Sequence, residues 1–161
     1  MIICAIDPGI TGALAFYEPT TSGLGAVYDM PIVDGDVDPH TMTGIIKLRR
    51  PDVAVLEHVH PHPKEGVSSV WRFAAAFTTA RVVVSLLHIP LLLVTPAKWK
   101  RTMNVKGGPE GKEQCRRLAI ERFPGRAGDF SRKKDHGRAE AALLALYASQ
   151  LQTLRNHHHE L

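Results

Sequence analysis

Apolar and polar positions change period several times along the chain, and each change marks an element. Ile2 to Ile6 is an unbroken, largely β-branched apolar run, the pattern of a strand buried on both faces. Ala13 to Tyr17 and Leu24 to Met30 follow, separated by the turn-rich stretch Pro19 to Gly23. The three segments together predict an antiparallel meander. Asp38 to Arg50 starts with an acid and ends with base, as a helix dipole prefers, and Met42, Ile45, Ile46 and Leu48 supply its apolar face. Pro51 and Asp52 stop it. Val53 to Leu56 is the next buried strand, and it runs into Glu57. Residues 58–66 (HVHPHPKEG) cannot continue a central strand because of Pro61 and Pro63, and they read as a mobile loop. Ser68 or Ser69 is a cap for a helix running to about Leu87. Leu91 to Val94 predicts a short buried strand, and Pro96 opens a helical turn through Arg101. Asn104 to Gly111 reads as a Gly-rich basic loop, Lys112 to Phe123 as a helix stopped by Pro124 and Gly125, and Gly125 to Lys134 as a polar, basic connection. A final helix is expected from about Arg138 to Leu154, with Ala141, Leu144, Ala145 and Ala148 inward. The order of elements gives an α/β fold, a mixed five-stranded sheet with helices on both faces.

The length of 161 residues fits a single domain, here residues 1–155, followed by a polar tail at residues 156–161 that is left out of the site. Two cysteines, Cys4 and Cys115, are too few for a disulfide framework and read as reduced thiols. The longest apolar stretch, Arg81 to Val94, is interrupted by His88 and Pro90, so no membrane span is expected. Nothing at the N-terminus has the form of a signal peptide, and a cytoplasmic location is the expectation. The net charge of +4 is unevenly spread: Lys98 to Arg138 holds 13 of the 20 basic residues and five acids. One basic region on a nearly neutral remainder points to a polyanion, against the plainer alternative of a solvated helix face.

Two of the buried strands end in an acid. Asp7 closes IICAID and Glu57 closes VAVLE, and neighbouring strands would bring these carboxylates together at a sheet end, where ligand sites of open α/β sheets lie. A third group of acids opens the last helix in KKDHGRAEAALLAL, with Asp135 and His136 followed by Glu140. His136 and Glu140 are four apart and share a face if the helix already includes them. Each acid has a plain reading: DPG is a common turn, Glu57 a strand-end surface residue, Asp135 a cap and Glu140 a first-turn acid. Taken together they converge on one place. Carboxylates that converge repel, and hard divalent cations with oxygen ligands remove that conflict.

At this point the chain resembles the RuvC-like branch of the RNase H-like nuclease superfamily, over most of residues 1–150. IDPGITGA is similar to that family's first catalytic strand and turn, VAVLEHV to its second acidic strand, and GVSSVWRFAAAFTTARVVV to its long helix. LLLVTPAKWKRTM resembles the following strand and basic segment, KGGPEGKEQCRRLAIERFP the next Gly/Lys loop and helix, and DHGRAEAALLALY the closing acidic helix. The ending GRAEAALLALY is most similar to phage or prophage members, which would place the protein in the cytoplasm of a bacterium or infected host. The resemblance implies an RNase H-like fold and a homodimeric endonuclease dependent on Mg²⁺ or Mn²⁺, two ions per site, acting on branched DNA such as four-way Holliday junctions. Symmetric nicks would leave a 5′-phosphate and a 3′-hydroxyl. It carries the metal-ligand role onto Asp7, Glu57 and Glu140, and leaves the fourth ligand between Asp135 and His136, because the spacing differs from the family pattern.

The remaining candidates serve the DNA. Lys98, Lys100, Arg101, Lys106, Lys112, Arg132, Lys133 and Lys134 can neutralise phosphates, and Lys112 is also placed to offset transition-state charge as a catalytic lysine. Trp71 and Phe73 could stack on an unpaired base or belong to an apolar face. The stripe Val70, Phe73, Phe77, Ala80 and Val84 suits a dimer helix. Other readings fit less well. His58, His60 and His62 alternate as zinc ligands can, but the prolines between them spoil the geometry, and substrate-loop histidines are expected instead. The Asp-Gly-Thr-Gly turn is similar to the phosphate loop of actin-like ATPases, which need two lobes and a second such loop. A branched-DNA-binding module that has lost catalysis is the alternative function.

Overall fold

The computed structural model describes residues 1–59 and 66–159, with side chains as far as residue 151. The predicted meander is present as β1 (Ile3–Asp7), β2 (Ala13–Glu18) and β3 (Gly23–Asp29), paired antiparallel. A small hairpin not foreseen from the sequence follows, β4 (Ile32–Val33) and β5 (Asp36–Val37). Its two turn residues, Asp34 and Gly35, have φ of 50° and 87°, the left-handed pair that an Asp-Gly turn provides. Helix α1 (Pro39–Arg49) starts where predicted: the Asp38 carboxylate accepts from the backbone N–H of His40 at 3.0 Å and of Thr41 at 3.3 Å.

Strand β6 (Val53–Glu57), helix α2 (Val67–Leu86), strand β7 (Leu91–Val94) and helix α3 (Pro96–Thr102) complete the central part. The sheet order is β3-β2-β1-β6-β7, with β1, β6 and β7 parallel, so it is mixed and five-stranded as the pattern implied. Helix α4 (Gly108–Arg122) begins inside the stretch expected to be a loop, with Gly107 before it and Pro109 in its first turn, where proline's missing N–H costs nothing. Residues 124–130 and 133–135 form 3₁₀ turns rather than an open basic connection, because Phe130 is drawn fully into the core. Helix α5 (His136–His159) starts two residues earlier than expected and runs on through most of the polar tail. Among the described residues no helix is long and apolar enough to cross a membrane.

Side-chain alternation along the strands builds two cores. Ile3, Ala5, Ala13, Ala15 and Val55 face the layer of α3, α4 and α5, packing on Trp99, Cys115, Leu143 and Leu144. Cys4, Ile6, Leu14 and Leu56 face α1 and α2. Each fully buried Leu or Ile in these layers stabilises the fold by about 1.5–3 kcal/mol. The stripe proposed for a dimer helix is corrected by this arrangement: Ala80 and Val84 are buried in the second core, and Phe77 packs against it. The outward apolar residues of α2 are Val67, Trp71, Val82 and Leu86 instead.

Candidate active site

Parallel register places the first two acids. Ile6 lies opposite Leu56, so the next residues, Asp7 and Glu57, leave the sheet side by side. Alternation then sets their direction, because residues 3 and 5 of β1, and 53 and 55 of β6, face the α5 layer. Glu140, one turn into α5, meets them there, and ligand oxygens of all three lie within 4.8 Å of one another. Alanines 139, 141, 142 and 145 are fully buried and let α5 approach the strands closely. Gly137 is tighter still: a Cβ there would stand 2.2 Å from the carbonyl oxygen of Thr11 and 3.0 Å from the Cα of Gly12.

Burial pushes the Asp7 carboxyl well above the ordinary carboxylate range, the charges of Glu57 and Glu140 push it further, and Lys100 and Lys112 pull the other way. Glu57 is raised chiefly by burial, also by Glu140, against the hydrogen bond it receives from Trp99. The indole Nε1–H of the fully buried Trp99 donates to Glu57 Oε1 at 2.7 Å. On the next residue, the Lys100 ammonium donates to Glu140 Oε1 at 3.0 Å. Burial alone would lower the Lys100 ammonium, but Glu140 and Glu57 more than offset it and its pKa is raised.

The other predicted residues divide. Asp135 is buried, and both it and His136 stand outside the three-acid cluster. The Asp135 carboxylate is taken by the Arg132 guanidinium at 2.8 Å and the Arg132 backbone N–H at 2.8 Å, and although burial raises it, these bonds leave it below the usual range. The same contacts occupy Arg132, so the two residues read as DNA contact and metal ligand are bonded to each other. His136 opens α5 and so does share a face with Glu140. Its imidazole is held below its ordinary pKa by burial and by Lys112, with Glu140 acting the other way. His136 also lines a cavity of about 460 Å³ together with Pro109, Lys112, Glu113, Arg116, Lys133 and Lys134. Lys98 and Arg101 are exposed on α3, whereas Lys106 is paired with Glu110 at 2.7 Å. Trp71 is 76% exposed and Phe73 half-buried. His58 stacks on Phe77, ring centroids 5.3 Å apart, while His60 and His62 lie outside the described residues.

The sequence matches no family model and no curated protein. Solved structures do match. Thermus thermophilus RuvC, in complex with a Holliday junction substrate, aligns with a TM-score of 0.64 at 14% identity, over 95% of this chain and 97% of that one. The fold is that of the RuvC-like resolvases. The fowlpox virus Holliday junction resolvase aligns with a TM-score of 0.56 at 20% identity, covering 96% of this chain and 99% of that one. The yeast mitochondrial Holliday junction resolvase Ydc2 gives 0.55 at 17%, over 96% and 80%. On this RuvC-like frame the acid cluster sits at the carboxyl ends of two adjacent parallel strands.

Two contributors, Trp99 and Arg116, escaped the sequence, and a third, Lys100, has a different neighbour from the one expected. Trp99 lay inside a basic segment, although a tryptophan between two lysines signals a buried indole whose N–H needs a partner. Lys100 was counted among the phosphate contacts and is turned into the acid cluster. Arg116 bridges elements instead of facing solvent: it donates to the carbonyl oxygens of Phe130 at 2.9 Å and Ser131 at 2.6 Å, holding the 3₁₀ segment against α4.

Proposed function

We propose that this protein is a divalent-metal-dependent endodeoxyribonuclease that resolves branched DNA, four-way junctions first, as a homodimer making symmetric nicks. The observation that carries the reading is the Asp7–Glu57–Glu140 oxygen cluster; one turn before Glu140 on α5, His136 lines a cavity with Lys112, Lys133 and Lys134. The donor set fits Mg²⁺ or Mn²⁺: all three ligands are carboxylate oxygens, and two of them are raised by burial and then by the neighbouring carboxylates, a repulsion that a cation relieves; two ions per site is what the resemblance implies. Asp7, Glu57 and Glu140 would hold the ions. For the fourth ligand, the shared face with Glu140 favours His136, since the oxygens of Asp135 are engaged by Arg132. Bound there, divalent ions supply charge neutralisation at the phosphate and acidify a water.

The chain's own groups do the positioning. Lys112, whose charge acts on Asp7, would offset the negative charge that grows on the phosphate oxygens. Lys133 and Lys134 across the cavity neutralise flanking phosphates, and Lys98 and Arg101 extend the basic face along α3. The water oxygen bonds to phosphorus in line as the P–O3′ bond breaks. The 3′ oxygen takes a proton, which leaves a 5′-phosphate and a 3′-hydroxyl. Branched DNA as substrate rests on the junction bound to Thermus thermophilus RuvC. The homodimer rests on the resemblance and on the outward apolar residues of α2.

The test is cleavage of labelled four-way, forked and linear DNA with Mg²⁺, Mn²⁺ or EDTA, beside Asp7→Asn. Paired nicks in the four-way substrate, lost with EDTA and reduced at least about a hundredfold in the variant, are the expected result. A second reading, a binding module without catalysis, is favoured by the Lys100–Glu140 bond inside the cluster. Tight, salt-sensitive binding with no product under either metal would replace the nuclease reading with it.

A further inference from the structure

Helix α3 presents two consecutive residues to two different acids of the cluster, Trp99 to Glu57 at 2.7 Å and Lys100 to Glu140 at 3.0 Å. The Lys100–Glu140 pair is well shielded, with side chains 18% and 11% exposed. Among the described residues Lys100 is the one basic side chain hydrogen-bonded to the cluster, and its charge also acts on Glu57 and Asp7. Its ammonium lies 5.2 Å from the centre of the Trp99 ring, a second attraction that holds the lysine in this position. A cation so enclosed is poorly placed to reach out to a DNA backbone. It is well placed to balance carboxylates that would otherwise repel one another.

We propose that Lys100 is the built-in counter-ion of the carboxylate cluster: its ammonium holds Glu140 in the metal-free protein and is displaced when a divalent cation enters, so the metal binds in competition with Lys100. The inference rests on the metal reading of this site. The same Glu140 oxygen cannot serve both cations at full strength, and two cations within the cluster repel. Lys100 is thus a positioning residue. It keeps Glu140 facing Asp7 and Glu57, and it sets a threshold that the metal must overcome.

The experiment is calorimetric titration of the full chain, freed of metal, with Mn²⁺ alone, for wild type, Lys100→Met and Lys100→Gln, alongside melting curves with EDTA and with Mn²⁺. Removing the competing charge is expected to tighten Mn²⁺ binding on the order of tenfold. The EDTA melting temperature should fall, and Mn²⁺ should restore it. A variant that folds only with Mn²⁺ gives the same answer, because the metal has taken the lysine's place. Folded variants that bind Mn²⁺ with unchanged or weaker affinity overturn the inference. If Lys100→Met fails to fold under both conditions, Lys100→Gln, which keeps a polar head without the charge, decides by the same criteria; failure of both variants to fold with Mn²⁺ also overturns it. A wild-type protein that binds no Mn²⁺ defeats the metal reading itself, whereas wild-type binding with unchanged variants defeats the Lys100 inference alone.

Discussion

Glu57 is a carboxylate with 5% of its surface exposed, and its stability in that position depends on what donates to it. Trp99 favours its ionised form through the indole N–H, against burial and Glu140, which favour the protonated one. The linkage follows from that balance. Because the folded-state pKa is raised, the metal-free folded protein holds this proton more tightly than the unfolded chain does. Its contribution to stability is therefore greatest below the ordinary carboxylate range and declines as pH rises through the raised value. Trp99→Phe removes the donor while keeping most of the ring. It is expected to cost about 1.5–3 kcal/mol of stability, since the lost bond is to a charged group. Glu57 should then ionise at still higher pH, moving the acidic limb of the cleavage rate to higher pH. Denaturant melts and a pH–rate profile of wild type and variant check both parts.

Among the elements, α5 has little tolerance at its start, because Gly137 brings its first turn against the backbone of Thr11 and Gly12. Gly137→Ala would place a methyl 2.2 Å from a carbonyl oxygen, so the helix must move. The expected cost is about 1–3 kcal/mol, and cleavage should fall further than stability explains, because Glu140 shifts from Asp7 with the helix. Thermal melts beside single-turnover cleavage at a temperature where the variant is folded separate the two effects. How far such elements can be read from sequence depends on their period. β1 and β6 were legible as buried strands ending in acids, since a continuous apolar run has few other uses, and the acid pair followed from their register. Asp34–Gly35 carried a hairpin signal, but β4 and β5 have two residues each and no alternation to reveal them. The stripe on α2 was found with the right spacing and assigned to the wrong partner. Spacing shows that a face is apolar, and only packing shows what covers it. Asp135 was one acid among several in the sequence, and the group that engages it is Arg132, three residues away, through a 3₁₀ turn no pattern announced.

At the scale of the molecule, the described residues put the acid cluster on one layer and an exposed apolar arc on the other. The acid cluster and the cavity of Lys112, Lys133 and Lys134 lie on the α4–α5 side of the sheet. On the opposite side, Val67, Trp71, Val82 and Leu86 fall within one arc of α2, away from the buried Ala76, Ala80 and Val83. If this face joins two copies, Trp71→Glu with Leu86→Glu should yield a monomer by light scattering with an unchanged melting profile in dilute solution. Such a monomer should nick one strand of a four-way junction and lose the paired cut, because a symmetric product needs two sites held together.

The chain has two tryptophans, and the fold gives each a different neighbourhood: Trp71 stands on the open face of α2 and Trp99 is sealed against Glu57. They therefore act as two optical reporters with separate subjects. Emission from Trp71 should be that of an indole in water, and it should shift to the blue on concentration if copies cover this face. Emission from Trp99 should be blue from the start, shielded from iodide, and should change in intensity when the charge on Glu57 is redrawn. With Trp71→Phe the protein's own fluorescence becomes a direct gauge of its acidic centre, with no added dye.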